Sequence, residues 1–410
     1  MPSPTDTPRR LLLLGAPDLP LPAWDRTVVA RGERHSLVRD AQKLDAQALL
    51  LWLPAPAALD AWLDALQALS PPLPGVCIVP GASAAQQRRG FELGLQVWLE
   101  QPPPAEALLA QLRWAVWQAR RLAGLQTQLD ERKWTERAKG LLMSAREIDE
   151  EQAFRLLREA AMHAHLRLGE VARSVVQAAQ LAEAVNLAGQ QRMLSQRLVK
   201  LVAQRAAGIE PRRAKALQDE SAARIDANLA RLPALLPAAL DVTALDQAWA
   251  RLRPLLAGKP TAAVLGRVDV AAEALLELSE RFTNAIEAAG AGRPLRLVNL
   301  CGRQRMLSQR LAKEALLADL LPGRDPACLS ELLGGFEAGL AELEAAPLAS
   351  PAIRVLLEEV RAQWLHLLRS LRDVQGPEAA AGLARSSEGV LSRLDMLTVQ
   401  YQQSLQLILG

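Results

Sequence analysis

Aromatic side chains are scarce in this chain: 3% of 410 residues, with four Phe and one Tyr. The core cannot be built on rings. The apolar half of the composition, dominated by Ala and Leu, points instead to helices packed through aliphatic stripes. Cysteine is scarcer still. Cys77, Cys301 and Cys328 are widely spaced, which excludes a disulfide framework and a thiolate metal site and leaves reduced thiols in packed positions. Four scattered histidines lack metal-ligand spacing, so no metal, no cofactor and no enzymatic activity are expected. Charge of one sign is also lacking. The 48 Lys and Arg face 45 Asp and Glu, and a net +3 is no argument for nucleic acid by itself. No apolar run is long enough to cross a bilayer; the best candidate, 229–245, is broken by Pro233, Pro237 and Asp241. The start, Met1-Pro2-Ser3-Pro4, has no signal-peptide layout, so a cytoplasmic protein with no membrane contact is expected.

What the chain does have is a phrase used twice. Asn186-Leu187-Ala188-Gly189-Gln190-Gln191-Arg192-Met193-Leu194-Ser195-Gln196-Arg197-Leu198-Val199-Lys200 returns 113 residues later as Asn299-Leu300-Cys301-Gly302-Arg303-Gln304-Arg305-Met306-Leu307-Ser308-Gln309-Arg310-Leu311-Ala312-Lys313. Twelve of fifteen positions are identical. A repeated bundle helix usually keeps its apolar pattern and loses its polar letters. Here the polar letters survive, and packing alone does not explain that.

At 100° per residue, Leu187, Leu194, Leu198 and Leu201 form one apolar stripe. The opposite face carries Ala188, Gly189, Arg192, Ser195 and Gln196, and the second copy presents Cys301, Gly302, Arg305, Ser308 and Gln309 in the same way. Glycine costs about 1 kcal/mol inside a helix, so close approach of another backbone would account for Gly189 and Gly302. The same face would bury a guanidinium, which needs a partner. Neither phrase contains an acidic residue. An anionic ligand shared by Arg192 and Arg305 meets the need, since the donor fork suits a planar oxyanion. A glutamate on a neighbouring helix, such as Glu183 or Glu287, would meet it too.

The phrase resembles the signature of the PilJ-type sensor domain of type IV pilus chemotaxis transducers and the related nitrate-sensor segment of bacterial sensor kinases. The resemblance covers roughly the last 235 residues and implies helical bundles that bind nitrate or nitrite. It makes Arg192 and Arg305 the expected ligand contacts, with Gly189, Gly302, Ser195 and Ser308 beside them.

At the front, residues 10–15, 27–30, 48–53, 76–79 and 97–99 read as short buried strands alternating with helices, a parallel α/β sheet of flavodoxin-like type. The spacing resembles the receiver domain of response regulators. Receivers need an acidic pair, an acceptor aspartate, a hydroxyl and a lysine; this chain offers Gly15-Ala16, Trp52, Pro80 and Gln101. No phosphoacceptor is expected, and the domain reads as a pseudo-receiver. From about Pro104 a long helix follows, in which Leu108, Leu112, Ala115, Ala119, Leu122, Gln126 and Leu129 set out a coiled-coil seam and hence a homodimer.

Three blocks follow in order: Arg137 to Met143, Glu151 to Arg158 and Val171 to Val176. They resemble the ANTAR module, a three-helix RNA-binding output domain of transcription antiterminators. The resemblance implies recognition of leader-RNA stem-loops, with the RNA polymerase elongation complex as a further partner. Asp149 and Gln152 mark a helix start, and Ala153, Leu156, Leu157, Ala160 and Ala161 form the buried stripe. Lys139, Arg155, Arg158, His163, His165, Arg167 and Arg173 fall outside it and are the candidates to meet phosphates. Ten basic and nine acidic groups between 121 and 176 equally fit a solvated face.

The expected architecture is multi-domain and mainly α: a degenerate receiver-like domain at 1–103, a coiled-coil helix at 104–130, an ANTAR module at 131–177, and a duplicated four-helix bundle at 178–410 with repeats 178–290 and 293–410. Breaks are expected near 208–211, 233–241, 258–260, 290–293, 322–326, 347–351 and 376. The first helix should run from Val171 into the sensor without a linker. The expected function is a nitrate- or nitrite-responsive antiterminator. The alternatives are a scaffold whose bundles hold a partner protein, or an RNA-binding regulator of a different anion.

Overall fold

The computed structural model of the protein describes residues 7–15, 27–237, 239–290, 293–321, 323, 327–346, 350–372 and 377–408. The chain divides into two compact units, 1–130 and 131–410.

In the first unit, runs apolar on both faces form the inner strands of a parallel sheet. The elements are β1 (Arg10–Gly15), β2 (Val28–Arg31), α1 (Leu37–Leu44), β3 (Ala48–Trp52), α2 (Leu59–Leu66), β4 (Gly75–Ile78), α3 (Ala84–Glu92), β5 (Leu95–Leu99) and the long helix α4 (Ala105–Arg146). The strand order β2-β1-β3-β4-β5 is a doubly wound one. Leu12, Leu14, Leu49 and Leu51 face α1 and α2 through Leu37, Leu59 and Leu63. Leu11, Leu13, Leu50, Val76 and Ile78 face α4 through Leu108, Leu112, Ala115 and Val116.

That second contact corrects the expected seam. Leu108, Leu112 and Ala115 are buried against their own sheet and have no free face for another chain. Residues 120–130 of α4 are exposed on every side, which leaves Leu122, Gln126 and Leu129 of the seam, with Leu125 beside them. At the C-terminal edge of the sheet, Trp52 ends β3 in the place of a receiver's phosphoacceptor. Gly15 has φ +93°, and a Cβ there would lie 2.1 Å from the Trp52 carbonyl oxygen, so an acidic side chain has no room. Ala16 lies outside the described residues.

The second unit opens with three helices: the end of α4, α5 (Glu150–Ala164) and the start of α6 (Leu168–Ala206). Asp149 caps α5, its Oδ1 accepting from the Gln152 backbone N–H at 2.8 Å. Ala153, Leu157 and Ala161 pack on Ala138, Leu142, Val171, Ala172, Val175 and Val176. Helix α6 then continues through the first phrase. Beyond it lie α7 (Pro211–Arg231), α8 (Thr243–Leu252), α9 (Ala262–Ala289), α10 (Arg293–Leu320), α11 (Ala327–Glu344), α12 (Pro351–Arg372) and α13 (Pro377–Ile408). The breaks near 208–211 and 258–260 stand where the Gly and Pro residues place them. Those at 233–241, 290–293, 322–326, 347–351 and 376 lie partly or wholly outside the described residues.

The two repeats are wired alike. α6 packs on α7 and α9, and α8 on α9; α10 packs on α11 and α13, and α12 on α13. The inner helices α6 and α10 pack on each other and run in the same direction, with Gly189 opposite Gly302 and Lys200 beside Gln309. One hydrophobic core spans both repeats.

Candidate functional site

The two glycines bring the phrases together. A Cβ on Gly302 would lie 3.6 Å from the Gly189 Cα and 2.9 Å from the Arg192 Nη2. The backbones therefore meet at small residues, and the guanidiniums of Arg192 and Arg305 converge over them. Both arginines are fully buried.

Each has partners supplied by the protein. Arg192 Nη1 donates to Glu280 Oε2 of α9 at 2.6 Å, and its Nη2 donates to Asn299 Oδ1 at 2.7 Å. Arg305 Nη1 donates to Asp395 Oδ1 of α13 at 2.7 Å, and its Nη2 to Asn186 Oδ1 at 2.7 Å. Each phrase's opening asparagine thus holds the other phrase's arginine, and the fourth helix of the same repeat supplies the carboxylate. The glutamates suggested by sequence are engaged elsewhere: Glu183 pairs with Arg231, and Glu287 accepts from Asn299 Nδ2.

The closing lysines cross over instead. Lys200 Nζ donates to Glu388 Oε1 at 2.5 Å, Ser387 Oγ at 2.9 Å and Gln309 Oε1 at 2.6 Å. Lys313 Nζ meets Glu273 at 2.7 Å, Asp269 at 3.0 Å and Glu314 at 2.8 Å. Arg197 and Arg310 bind the same two glutamates, Glu388 and Glu273. Each arginine of the central pair is tied to its own repeat's fourth helix and each lysine to the other's. The polar letters of the phrase are retained in an interlocked set of buried ion pairs.

Burial pushes the Arg192 guanidinium down from its usual range, against the pull of Glu280. Burial pushes the Glu388 carboxyl up, but Lys200 and Arg197 outweigh it and hold it down at about 2. Burial also raises the Cys77 and Cys301 thiols to about 12, which leaves them inert packing groups. Ser195 and Ser308 donate their hydroxyls to the Arg192 and Arg305 carbonyls of their own helices at 2.8 Å. Buried polar atoms without partners also lie here: both guanidinium Nε atoms and the side-chain amides of Gln191 and Gln304. A cleft of about 220 Å³ reaches Arg192 and is lined by Glu280, Glu287, Arg296, Asn299 and Arg303 among others.

Sequence reasoning missed Glu280, Asp395, Glu273 and Glu388. Their signal was present: on both fourth helices two carboxylates stand seven residues apart, and the pairs are 115 residues apart.

On the three-helix module, Arg155, Arg158, His163, His165, Arg167 and Arg173 are exposed. Arg173 stacks on Trp134 with its guanidinium 5.4 Å from the ring centroid, and Arg167 lies 3.9 Å from Glu131. Lys139 differs from the sequence expectation of a phosphate-facing group. It is buried, donating to Glu150 at 2.6 Å and pairing with Glu136 at 2.9 Å, which raises its pKa. Among the described residues no group of metal-holding side chains is present and no helix is long and apolar enough to cross a membrane.

Comparison with known families matches residues 123–176 to the ANTAR domain. Residues 174–271 and 275–389 match the family described as type IV pili methyl-accepting chemotaxis transducer N-term (PilJ). No curated protein matches the chain. The two family matches overlap at 174–176, inside α6. Both families are regulatory and non-catalytic, and an ANTAR domain marks an RNA-binding regulator of antitermination. The two PilJ matches together take in just over half of the residues, and the chain belongs to the PilJ family, carrying that region twice behind an ANTAR domain.

Proposed function

We propose that the protein is a cytoplasmic antitermination regulator whose doubled PilJ region senses nitrate or nitrite through Arg192 and Arg305 and whose ANTAR module binds leader-RNA stem-loops. One observation carries the coupling. α6 is a single 39-residue helix that contributes Val171, Val175 and Val176 to the ANTAR core and Leu187, Ala188, Met193, Leu194, Leu198 and Val199 of the first phrase to the sensor core. A change at Arg192 is thus a change in the helix on which the RNA module is built, with no flexible linker to absorb it.

Gly189 and Gly302 let two guanidiniums share one place, and Ser195 and Ser308 fix the local helix. Arg155, Arg158, Arg167 and Arg173 are the RNA contacts, and RNA of this kind is read by loop bases and backbone shape. Lys139 is a structural member of the module. The receiver-like domain, 1–103, carries Trp52 where a phosphoacceptor would stand and serves as a scaffold. The exposed stretch 120–130, with Leu122, Leu125 and Leu129, is the dimer contact. The elongation complex is the downstream partner.

A second reading has its own observation. Glu280 and Asp395 already neutralise the arginines, so the network suffices as structure and the bundles could serve as a scaffold for a partner protein. Calorimetric titration with nitrate, nitrite, chloride and sulfate separates the two. The control is Arg192→Gln with Glu280→Gln, which removes the buried cation and its counter-ion together. Saturable nitrate or nitrite heat, lost in the control, is expected; no heat from any anion in folded protein leaves the structural reading. For RNA, each phosphate-contacting arginine replaced by Ala should lower the salt dependence of leader-RNA binding by about one unit. Unchanged affinity in Arg155→Ala with Arg158→Ala removes that surface.

A further inference from the structure

We propose that the bundle takes up one anion per chain between Arg192 and Arg305, admitted from the Arg192 side alone, with Arg303 as an additional cation and Glu280 as the carboxylate it displaces. This rests on the anion-sensing reading above. The repeat is nearly symmetric in its buried network, and the two mouths of that network are not. Gln190 and Arg303 occupy equivalent positions of the phrase, one of three at which the copies differ.

Arg303 is exposed, makes no ion pair among the described residues, and lines the same cleft as Arg192. The other charges of that cleft are engaged. Arg296 pairs with Glu342 at 2.8 Å, Arg192 pairs with Glu280 at 2.6 Å, and Glu287 accepts from Asn299. Arg303 is the spare cation at the entrance. At the equivalent place in the first phrase, Gln190 is buried and accepts from Asn228 Nδ2 at 3.1 Å. The neighbour equivalent to Arg296 is Glu183, tied to Arg231. A larger cleft of about 510 Å³ on that side is lined by Glu183, Asn186 and Arg231, and Arg305 is not among its walls.

The displacement follows from burial. The Arg192 side chain has no exposed surface, so it cannot leave, and its charge must always be matched. The Glu280 side chain is 34% exposed and can turn into water at small cost. A planar oxyanion taking its place keeps Arg192 paired, accepts from the same donor fork, and gains Arg303. Glu280 therefore acts as a built-in competitor and sets the anion affinity, and its release breaks the Arg192–Glu280 ion pair between α6 and α9.

The test is titration of the full chain with nitrate by calorimetry, for wild type, Arg303→Gln, Glu280→Gln and Asp395→Asn, each checked for helical content. Arg303 is on the surface, so Arg303→Gln keeps its fold. The expected results are one site per chain, at least tenfold weaker binding in Arg303→Gln, several-fold tighter binding in Glu280→Gln, and a smaller change in Asp395→Asn than in Glu280→Gln. Two sites per chain, an unaffected Arg303→Gln, or equal effects of Glu280→Gln and Asp395→Asn would overturn the one-sided site while leaving nitrate sensing intact. No nitrate binding in any of the four proteins would overturn both.

Discussion

Replacing Glu388 by Gln should cost far more than replacing Lys200 by Met, although the two form one ion pair. Glu388 is shared: Lys200 lies at 2.5 Å and Arg197 Nη2 at 2.6 Å. Taking away its charge leaves two buried cations without a counter-ion, and breaking a buried pair from one side typically costs about 3–5 kcal/mol. Removing Lys200 leaves Glu388 still bound to Arg197 and partly open to water, so about 1 kcal/mol is expected. The depressed pKa of the carboxyl supports the larger figure. Its pKa falls from 4.5 to about 2 on folding, which corresponds to roughly 3 kcal/mol of stability at neutral pH. The sign follows from the depressed value. This contribution is fully present above the unfolded pKa and is lost as pH falls from about 4.5 towards 2. Urea denaturation of the full chain at several pH values, with peptide-resolved hydrogen exchange over α6 and α13, measures both effects. Glu388→Gln should lower stability by about 3 kcal/mol at pH 7, and its deficit against wild type should shrink below pH 4.5. Equal costs for the two substitutions, or a deficit that does not change with pH, would refute the shared-carboxylate argument.

Two further substitutions test local geometry. Gly302→Ala places a Cβ 2.9 Å from the Arg192 Nη2 and should cost about 1–3 kcal/mol and abolish nitrate heat. Gly382→Ala on α13 meets nothing within 4 Å and should instead stabilise by up to ~1 kcal/mol. Scanning calorimetry compares them, and a Gly302→Ala as benign as Gly382→Ala would remove the close-approach role of the glycine. Asp149→Ala deletes the cap of α5 and should cost about 1 kcal/mol. Faster amide exchange at 150–153 with no change in α13 is the expected signature, and unchanged exchange there would dismiss the cap.

Periodicity made the helices, the cap at Asp149 and the continuity of α6 legible, because each depends on residues within a turn or two of one another. It misassigned Leu108, Leu112 and Ala115 because a 4-3 spacing looks the same whether the stripe meets a second chain or the chain's own sheet. Lys139 misled for a similar reason. A lysine off the apolar stripe is normally solvated, and here Glu136 and Glu150 take it inward. The partners of the buried arginines were illegible in a stronger sense, since Glu280 lies 88 residues from Arg192 and Asp395 lies 90 from Arg305. No local rule pairs them; only the duplication does, by repeating the carboxylate spacing on α9 and α13. It follows that retention of polar letters in a repeat is evidence first for an interlocked network. Arg192, Arg305, Lys200 and Lys313 would all be kept for that reason with no ligand at all. The residue that argues for a ligand is the one the network does not need, and among the fifteen positions of each copy that residue is Arg303, charged, exposed and without an ion pair among the described residues, where its counterpart Gln190 is neutral, buried and bonded.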